Sequence, residues 1–312
     1  MTAEPLVSVV ICTHNRADYL RKAIDSVLVQ EPAGFGFELL VVDNASVDRT
    51  ASVCAEYTSC RRLRYLHEPR LGLCRARNTG WQAAAGRYVA YLDDDAVAAP
   101  GWLRAIADGF RRSPEPGVVG GPVRPIWEAP RPHWLDDELA VGLTIIDWSP
   151  VAKLIPDLHL EWLVGANLAV PVRLLRDIGG FHPSLDRVGQ RMLSSGDVFL
   201  QQQIQSRGRD CFYHPDMAVA HLVPASRLTQ RWFVNRYYWQ GISDAVMQLL
   251  VERPTGARRA VLALGRALRL LGSPRLQRAL CYRGEDPVRF TARCFALIEL
   301  GHVAGLAWTA RA

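Results

Sequence analysis

Tyr88-Val89-Ala90-Tyr91-Leu92-Asp93-Asp94-Asp95 carries an unbroken apolar run straight into three adjacent carboxylates. The first five residues have the length and composition of a strand, and the lack of alternation marks a strand covered on both faces. Upstream, Leu6–Cys12, Leu39–Val42 and Leu63–Leu66 read as further strands of this kind. Between them, residues 16–30 set Leu20, Ala23, Ile24, Val27 and Leu28 on one helical face, and helices fit the early fifties and 73–85. This alternation predicts an α/β fold with a mostly parallel sheet flanked by helices. Ligands of such sheets bind beyond the carboxyl ends of the strands, which directs attention to residues 13–16, 43–48 and 93–95.

Downstream the pattern changes. Six prolines between 114 and 132 exclude a continuous helix and predict an irregular stretch around one strand at Gly117–Val123. Leu163–Val170 reads as a strand, Ser195–Arg207 as a helix and Ser226–Leu250 as a long amphipathic helix. Pro254-Thr255-Gly256 marks a linker to Arg-studded helices. The expected organisation is a domain over 1–252, with a nucleotide-binding half to about 112 and an acceptor-side half from 113. A basic helical extension then covers 253–312.

Charge follows the same division. Residues 253–312 hold eleven Arg, no Lys and three acids, a net +8, whereas 26 basic and 28 acidic side chains leave residues 1–252 at −2. Such a block suits acidic partners, and without a zinc-finger spacing or other nucleic-acid module an anionic membrane surface is expected rather than nucleic acid. Seven cysteines without CxxC spacing predict reduced, mostly buried thiols and a cytoplasmic protein. The N-terminus lacks the apolar core of a signal peptide. The Cys294–Ala310 run, interrupted by Glu299 and His302, is expected to fall short of a membrane span.

Three segments carry chemistry. Asp93-Asp94-Asp95 is a mutually repelling cluster unless a cation neutralises it, and oxygen ligands of this kind suit Mg²⁺ or Mn²⁺ shared with substrate phosphates; a solvated acidic turn is the alternative. Asp43 ends a strand where it can accept hydrogen bonds from a base or ribose, while Ser46 and Asp48 suit helix capping. In Leu71-Gly72-Leu73-Cys74-Arg75-Ala76-Arg77-Asn78, Gly72 permits a tight turn into a helix N-terminus, and Arg77 suits a diphosphate.

The order and spacing of Val7-Ser8-Val9-Val10-Ile11-Cys12-Thr13-His14-Asn15-Arg16, Val41–Ser46, Gly72–Gly80 and Tyr91–Asp95 resemble family 2 glycosyltransferases. So do Gly165-Ala166-Asn167, Gly179-Gly180-Phe181, Ser195-Gly196-Asp197, Pro215–His221 and Arg227–Gly241, so the resemblance covers about residues 6–243. It implies the GT-A fold, Rossmann-like, and an inverting transfer from a nucleotide sugar, a UDP-sugar first, to an acceptor hydroxyl. Thr13, Asn15, Arg16, Asp43, Asn44, Arg77, Asp93 and Asp94 would bind the donor. Asp95 and His221 would hold the divalent cation, Mg²⁺ or Mn²⁺, and Asp197 would be the catalytic base; a hydrogen-bonded structural histidine is the alternative for His221. Trp134, Asn167, Ser195 and Arg236 would lie on the acceptor side, serving a glycan, lipid-linked glycan or small-molecule glycoside.

The chain departs from the family at Ser195-Gly196-Asp197-Val198-Phe199-Leu200, where relatives carry Gly-Glu-Asp, then a second acid and Leu. That departure keeps open a non-catalytic sugar-nucleotide-binding or scaffolding protein. A nucleotidyltransferase would also place metal carboxylates beside such a sheet, but Cys12-Thr13-His14-Asn15 offers no Gly-rich phosphate loop. A dinucleotide oxidoreductase lacks its GxGxxG.

Overall fold

The alternation in the first hundred residues is realised in order. β1 (Val7–Thr13), α1 (Ala17–Leu28), β2 (Phe37–Asp43), α2 (Thr50–Ala55), β3 (Leu63–His67), α3 (Leu73–Ala83) and β4 (Tyr88–Asp93) follow one another in the computed structural model, which describes residues 6–31, 34–188 and 191–307. Every residue of β2, and all of β1 except Cys12, is buried. The strands do not alternate because neither face meets water.

Then come β5 (Ala96–Ala98), α4 (Trp102–Phe110), β6 (Val118–Gly120), β7 (Val123–Trp127), α5 (Asp137–Ala140), β8 (Lys153–Ile155), β9 (Asn167–Pro171) and α6 (Val172–Ile178). The remaining elements are α7 (Gly196–Gln205), β10 (Cys211–Tyr213), β11 (Val219–Val223), α8 (Gln230–Glu252), α9 (Gly256–Gly272), α10 (Pro274–Cys281) and α11 (Pro287–Ala307). An eight-stranded sheet has the order β3-β2-β1-β4-β9-β6-β10-β8, and β5-β11-β7 form a second, three-stranded sheet. The first four strands are parallel, whereas β9 runs antiparallel to both β4 and β6. In register, Thr13 pairs with Asp43 and Cys12 with Asp93, so β1, β2 and β4 end together on one edge.

Three sequence expectations are corrected. The strand expected over Leu163–Val170 begins only at Asn167, because the Leu163 N–H donates to Gln201 Oε1 (2.9 Å) and its carbonyl accepts from Gln201 Nε2 (2.7 Å). A side chain thus takes the place of a neighbouring strand. The single strand at Gly117–Val123 is two, β6 and β7, parted at Gly121-Pro122, where a Cβ at 121 would fall on the carbonyl oxygens of Met217 and His214. The terminal apolar helix starts at Pro287, so it has 21 residues and by length and composition is able to cross a membrane. The same helix buries Phe290, Cys294, Leu297 and Leu306, as a core helix of a globular unit also does; residues 308–312 lie outside the described residues.

Contacts divide the described residues into two units drawn differently from the 1–252 and 253–312 spans. The first comprises Met1–Ile126, Ile145–Pro183 and Gly196–Leu222; the second comprises Trp127–Thr144, Ser184–Ser195 and Val223–Ala312. α8 belongs with the tail because it packs along α11, backbone against backbone. A Cβ at Gly301 would fall on the Tyr238 carbonyl oxygen, and one at Gly241 on that of Ile298. His302 is buried in the same seam, its Nε2 2.8 Å from Gln248 Oε1, and burial lowers its pKa to about 4.

Helix propensity alone would make Gly301→Ala stabilising by about 1 kcal/mol, but the clash costs about 1–3 kcal/mol, so a lower melting temperature is expected. Gly265→Ala, on α9 with open space around it, should raise the melting temperature instead. Because the folded pKa of His302 is depressed, its contribution to stability is present above the ordinary histidine range and lost as pH falls toward about 4. Thermal melts of His302→Gln should therefore lose less than wild type between neutral and acidic pH, by roughly 5 °C.

Candidate active site

The edge where β1, β2 and β4 end gathers most of the polar residues singled out from the sequence. Asp93 closes β4, and the turn after it buries Asp94 and Asp95. Arg16, from the loop before α1, answers that burial: its Nη2 lies 2.5 Å from Asp95 Oδ2 and its Nη1 3.4 Å from Asp94 Oδ1. Burial, partly opposed by Arg16, pushes the Asp94 carboxyl up to about 7, with Asp95 and Asp93 adding to the rise.

His221 reaches the cluster from β11, its Nε2 3.1 Å from Asp95 Oδ1. Its Nδ1 is buried and has no hydrogen-bond partner among the described residues, an arrangement that buried imidazoles rarely tolerate without a further ligand. One ligand atom each from Asp93, Asp95 and His221 lie within 4.8 Å of one another. Two carboxylates and an imidazole fit a divalent cation such as Mn²⁺ or Mg²⁺. Asp93, which the resemblance directs to the ribose, thus also joins the two expected metal ligands.

Arg77 is buried on α3, its Nη2 3.4 Å from Asp93 Oδ1 and its guanidinium over the Phe181 ring at 5.2 Å. Burial works against its charge, but Asp93 and Asp197 outweigh that and hold it firmly protonated. Its neighbour Asn78 fixes the stacking ring by exchanging two hydrogen bonds with the Phe181 backbone, at 2.9 and 2.8 Å. A Cβ at Gly165 would fall on the guanidinium. The Gly165 N–H in turn donates to Asp197 Oδ2 (2.7 Å), and the Val198 N–H to Asp197 Oδ1 (2.9 Å). Asp197 sits in the first turn of α7, where the helix dipole favours a negative charge.

Other residues of the edge tie loop to loop. Asn15, at φ 53°, donates its N–H to Ser46 Oγ (3.0 Å) and accepts from the Val47 N–H (2.7 Å). Ser46 therefore staples two loops and does not cap a helix. Asp48 accepts from Thr50 N and also from Ala17 N, the first residue of α1. Asp43 Oδ1 accepts from the Ser46 N–H (2.9 Å) and Oδ2 from the Tyr65 hydroxyl (2.7 Å). Asn44 is buried and spends its amide on the carbonyls of Glu68 and Arg70 and on the Gly72 N–H. Thr13, the last residue of β1, is buried beside them.

The residues expected on the acceptor side fall in both units. Asn167 is fully buried and holds Trp102 Nε1 and the carbonyls of Pro122 and Met217. Trp134 belongs to the second unit, buried edge-on to Phe233 and Phe290. Ser195 and Arg236, also of that unit, both bond to the Gln240 side chain. Sequence reasoning passed over Gly165 as the donor to Asp197, Phe181 as the platform for Arg77, and Tyr65. Gly165 and Phe181 lie within motifs shared with the family; Tyr65 gives no local signal, because it meets Asp43 from the next strand.

The glycosyl transferase family 2 model matches residues 8–165. Glucosyl-dolichyl phosphate glucuronosyltransferase of Haloferax volcanii is 26% identical over 262 residues, 82% of each chain. Several other curated relatives match over shorter stretches that amount to 14% of their own length. Among solved structures, mannosyltransferase PcManGT of Pyrobaculum calidifontis, in complex with GDP-Man and Mn²⁺, superposes with a TM-score of 0.59 at 19% identity, covering 98% of this chain and 88% of that one. TarS of S. aureus, residues 1–349 with UDP, gives 0.56 at 16% identity, covering 95% and 89%. These likenesses establish the GT-A fold. With the family model spanning half of its residues, the chain belongs to glycosyl transferase family 2 and is a glycosyltransferase.

Proposed function

We propose that this glycosyltransferase transfers a sugar, with inversion and dependence on a divalent cation, from a nucleoside-diphosphate sugar to an acceptor hydroxyl. The observation that carries the proposal is the convergence of Asp93, Asp95 and His221 in one unit with the Arg77–Gly165–Asp197 arrangement. Asp197 acts as base. It takes the hydroxyl proton as the acceptor oxygen bonds to the anomeric carbon and the bond to the diphosphate breaks. Its two backbone hydrogen bonds fix the direction in which its carboxylate faces, and catalysis rests on that positioning. Asp93, Asp95 and His221 would hold Mg²⁺ or Mn²⁺, which when bound supplies Lewis-acid stabilisation to the departing diphosphate. Arg77 adds a fixed positive charge in a dry site, where it is worth more than in water.

The neighbours solved with UDP and with GDP-Man and Mn²⁺ support a nucleoside-diphosphate donor and a cation. Following the family resemblance, we assign UDP-sugars first. Thr13, Asn15, Asp43 and Asp94 stand at the edge where the donor would lie, while Arg16, now paired with Asp94 and Asp95, would exchange partners as the cation and diphosphate enter. The Haloferax relative is named for glucosyl-dolichyl phosphate, which supports a lipid-linked acceptor over a free glycan or small glycoside. A cytoplasmic location, with the basic C-terminal helices touching the inner face of the membrane, fits such an acceptor.

Thermal stabilisation by a panel of UDP-, GDP- and dTDP-sugars with Mg²⁺ or Mn²⁺ should pick out the donor. A chelator, or Asp95→Ala, should abolish its metal dependence; stabilisation untouched by either would remove the cation from the proposal. Asp197→Asn should keep donor stabilisation and reduce nucleoside-diphosphate release and product formation by about 10²–10⁴-fold, the usual contribution of a general base. Unchanged turnover in that variant would mean that another group takes the proton.

A further inference from the structure

None of the residues of α9 is buried, yet its outward side is apolar. Val261, Leu264, Leu268 and Leu271 are 68, 60, 58 and 69% exposed. Steps of three, four and three residues place them on one stripe of the helix. The opposite side fixes the helix in its own unit: Arg259 Nε bonds the Leu306 carbonyl, and Arg266 Nη1 meets Glu299 Oε2 at 3.0 Å. The apolar stripe is therefore held facing away from the α9–α11 contact.

Charge borders the stripe. Helical geometry sets Arg258 and Arg269 on one flank of it, and Arg275 and Arg278 follow on α10, all four exposed. Arg258 reaches Glu252 at 3.7 Å, but among the described residues no acid pairs with Arg269, Arg275 or Arg278. The surface thus calls for a partner that is apolar inside and anionic at its rim. A second copy of the chain would bring a like-charged +8 tail against it. Nucleic acid would meet the arginines and leave the leucines in water.

We propose that the α9 stripe Val261-Leu264-Leu268-Leu271, with the arginines of α9 and α10, is a docking face for an anionic lipid bilayer. The helix lies in the interface with its leucines among the acyl chains and its guanidinium groups at the phosphates. This deepens the membrane contact proposed above by assigning its face, and it is read without turnover, so it stands or falls apart from the transfer chemistry.

The test is co-sedimentation of the full chain with phosphatidylcholine vesicles, with and without phosphatidylglycerol, at low and high salt. Wild type should bind the anionic vesicles at least about tenfold better than the neutral ones. The double variant Leu264→Gln/Leu268→Gln should lose that binding by about tenfold. Arg269→Gln/Arg275→Gln/Arg278→Gln should lose it too and flatten its salt dependence. These side chains are exposed, so both variants should keep the wild-type melting temperature and donor turnover. Equal binding to neutral vesicles, or unchanged binding by the leucine variant, would overturn the proposal. So would a wild-type dimer that ignores vesicles and dissociates on Leu264→Gln/Leu268→Gln, since a second copy would then cover the stripe.

Discussion

Three consecutive carboxylates at the end of a buried strand repel one another, and much of the site is arranged around that repulsion. Neighbouring charges cannot all persist out of water unless cations stand close. Here Arg16 and Arg77 bring positive charge to them from separate parts of the chain, and the His221 imidazole lies against Asp95 from a third. The three-stranded sheet matters for this reason: by pairing with β5, directly after Asp95, β11 sets His221 opposite Ala96. The site is therefore a product of topology, and of no single segment.

A second group of interactions keeps that edge in shape. Loops beyond strand ends have backbone groups that no neighbouring strand satisfies, and short polar side chains take over the work. Asn44 carries three such bonds between β2 and the loop before α3, and Asn78 holds Phe181 as a strand would. Glu68 belongs to the same set. Burial opposes its charge, yet hydrogen bonds from Thr79 and Arg70 hold its carboxyl down to about 2. Once these bonds form, the polar residues of this edge have little freedom left, which is the condition for preorganised electrostatics.

β1, β2 and β4 were legible because strands covered on both faces leave uninterrupted apolar runs; β3, at the sheet edge, exposes Arg64 and Tyr65. The acidic cluster was legible because it follows one of them. The rest depended on partners distant in the chain. Nothing local distinguishes Leu163 from a strand residue; Gln201, thirty-eight positions later, decides it. Asn44 and Asn167 looked like ligand-facing amides, and in the structure their amides are spent on buried carbonyls and N–H groups. A sequence shows that such an amide needs a partner but not whether that partner is a substrate or the chain itself. Trp134 poses the same problem for an aromatic: sugar platform and core residue have one spelling. The packing of α8 along α11 has no local signal, because α11 lies beyond the apparent linker at Pro254.

The contact between α8 and α11 has one more physical consequence. Most helix pairs in water-soluble domains are held by the expulsion of water from large side chains, a driving force that vanishes where the surroundings are themselves apolar. The seam at Gly241, Gly301 and Gly305 brings main chain close to main chain, so dispersion between closely fitted atoms adds to the burial of Phe233, Tyr237, Phe290 and Leu297. Small-residue seams of this kind hold helices together in hydrocarbon as well as in water. The second unit thus holds a joint in which close fit of main chain supplements the expulsion of water.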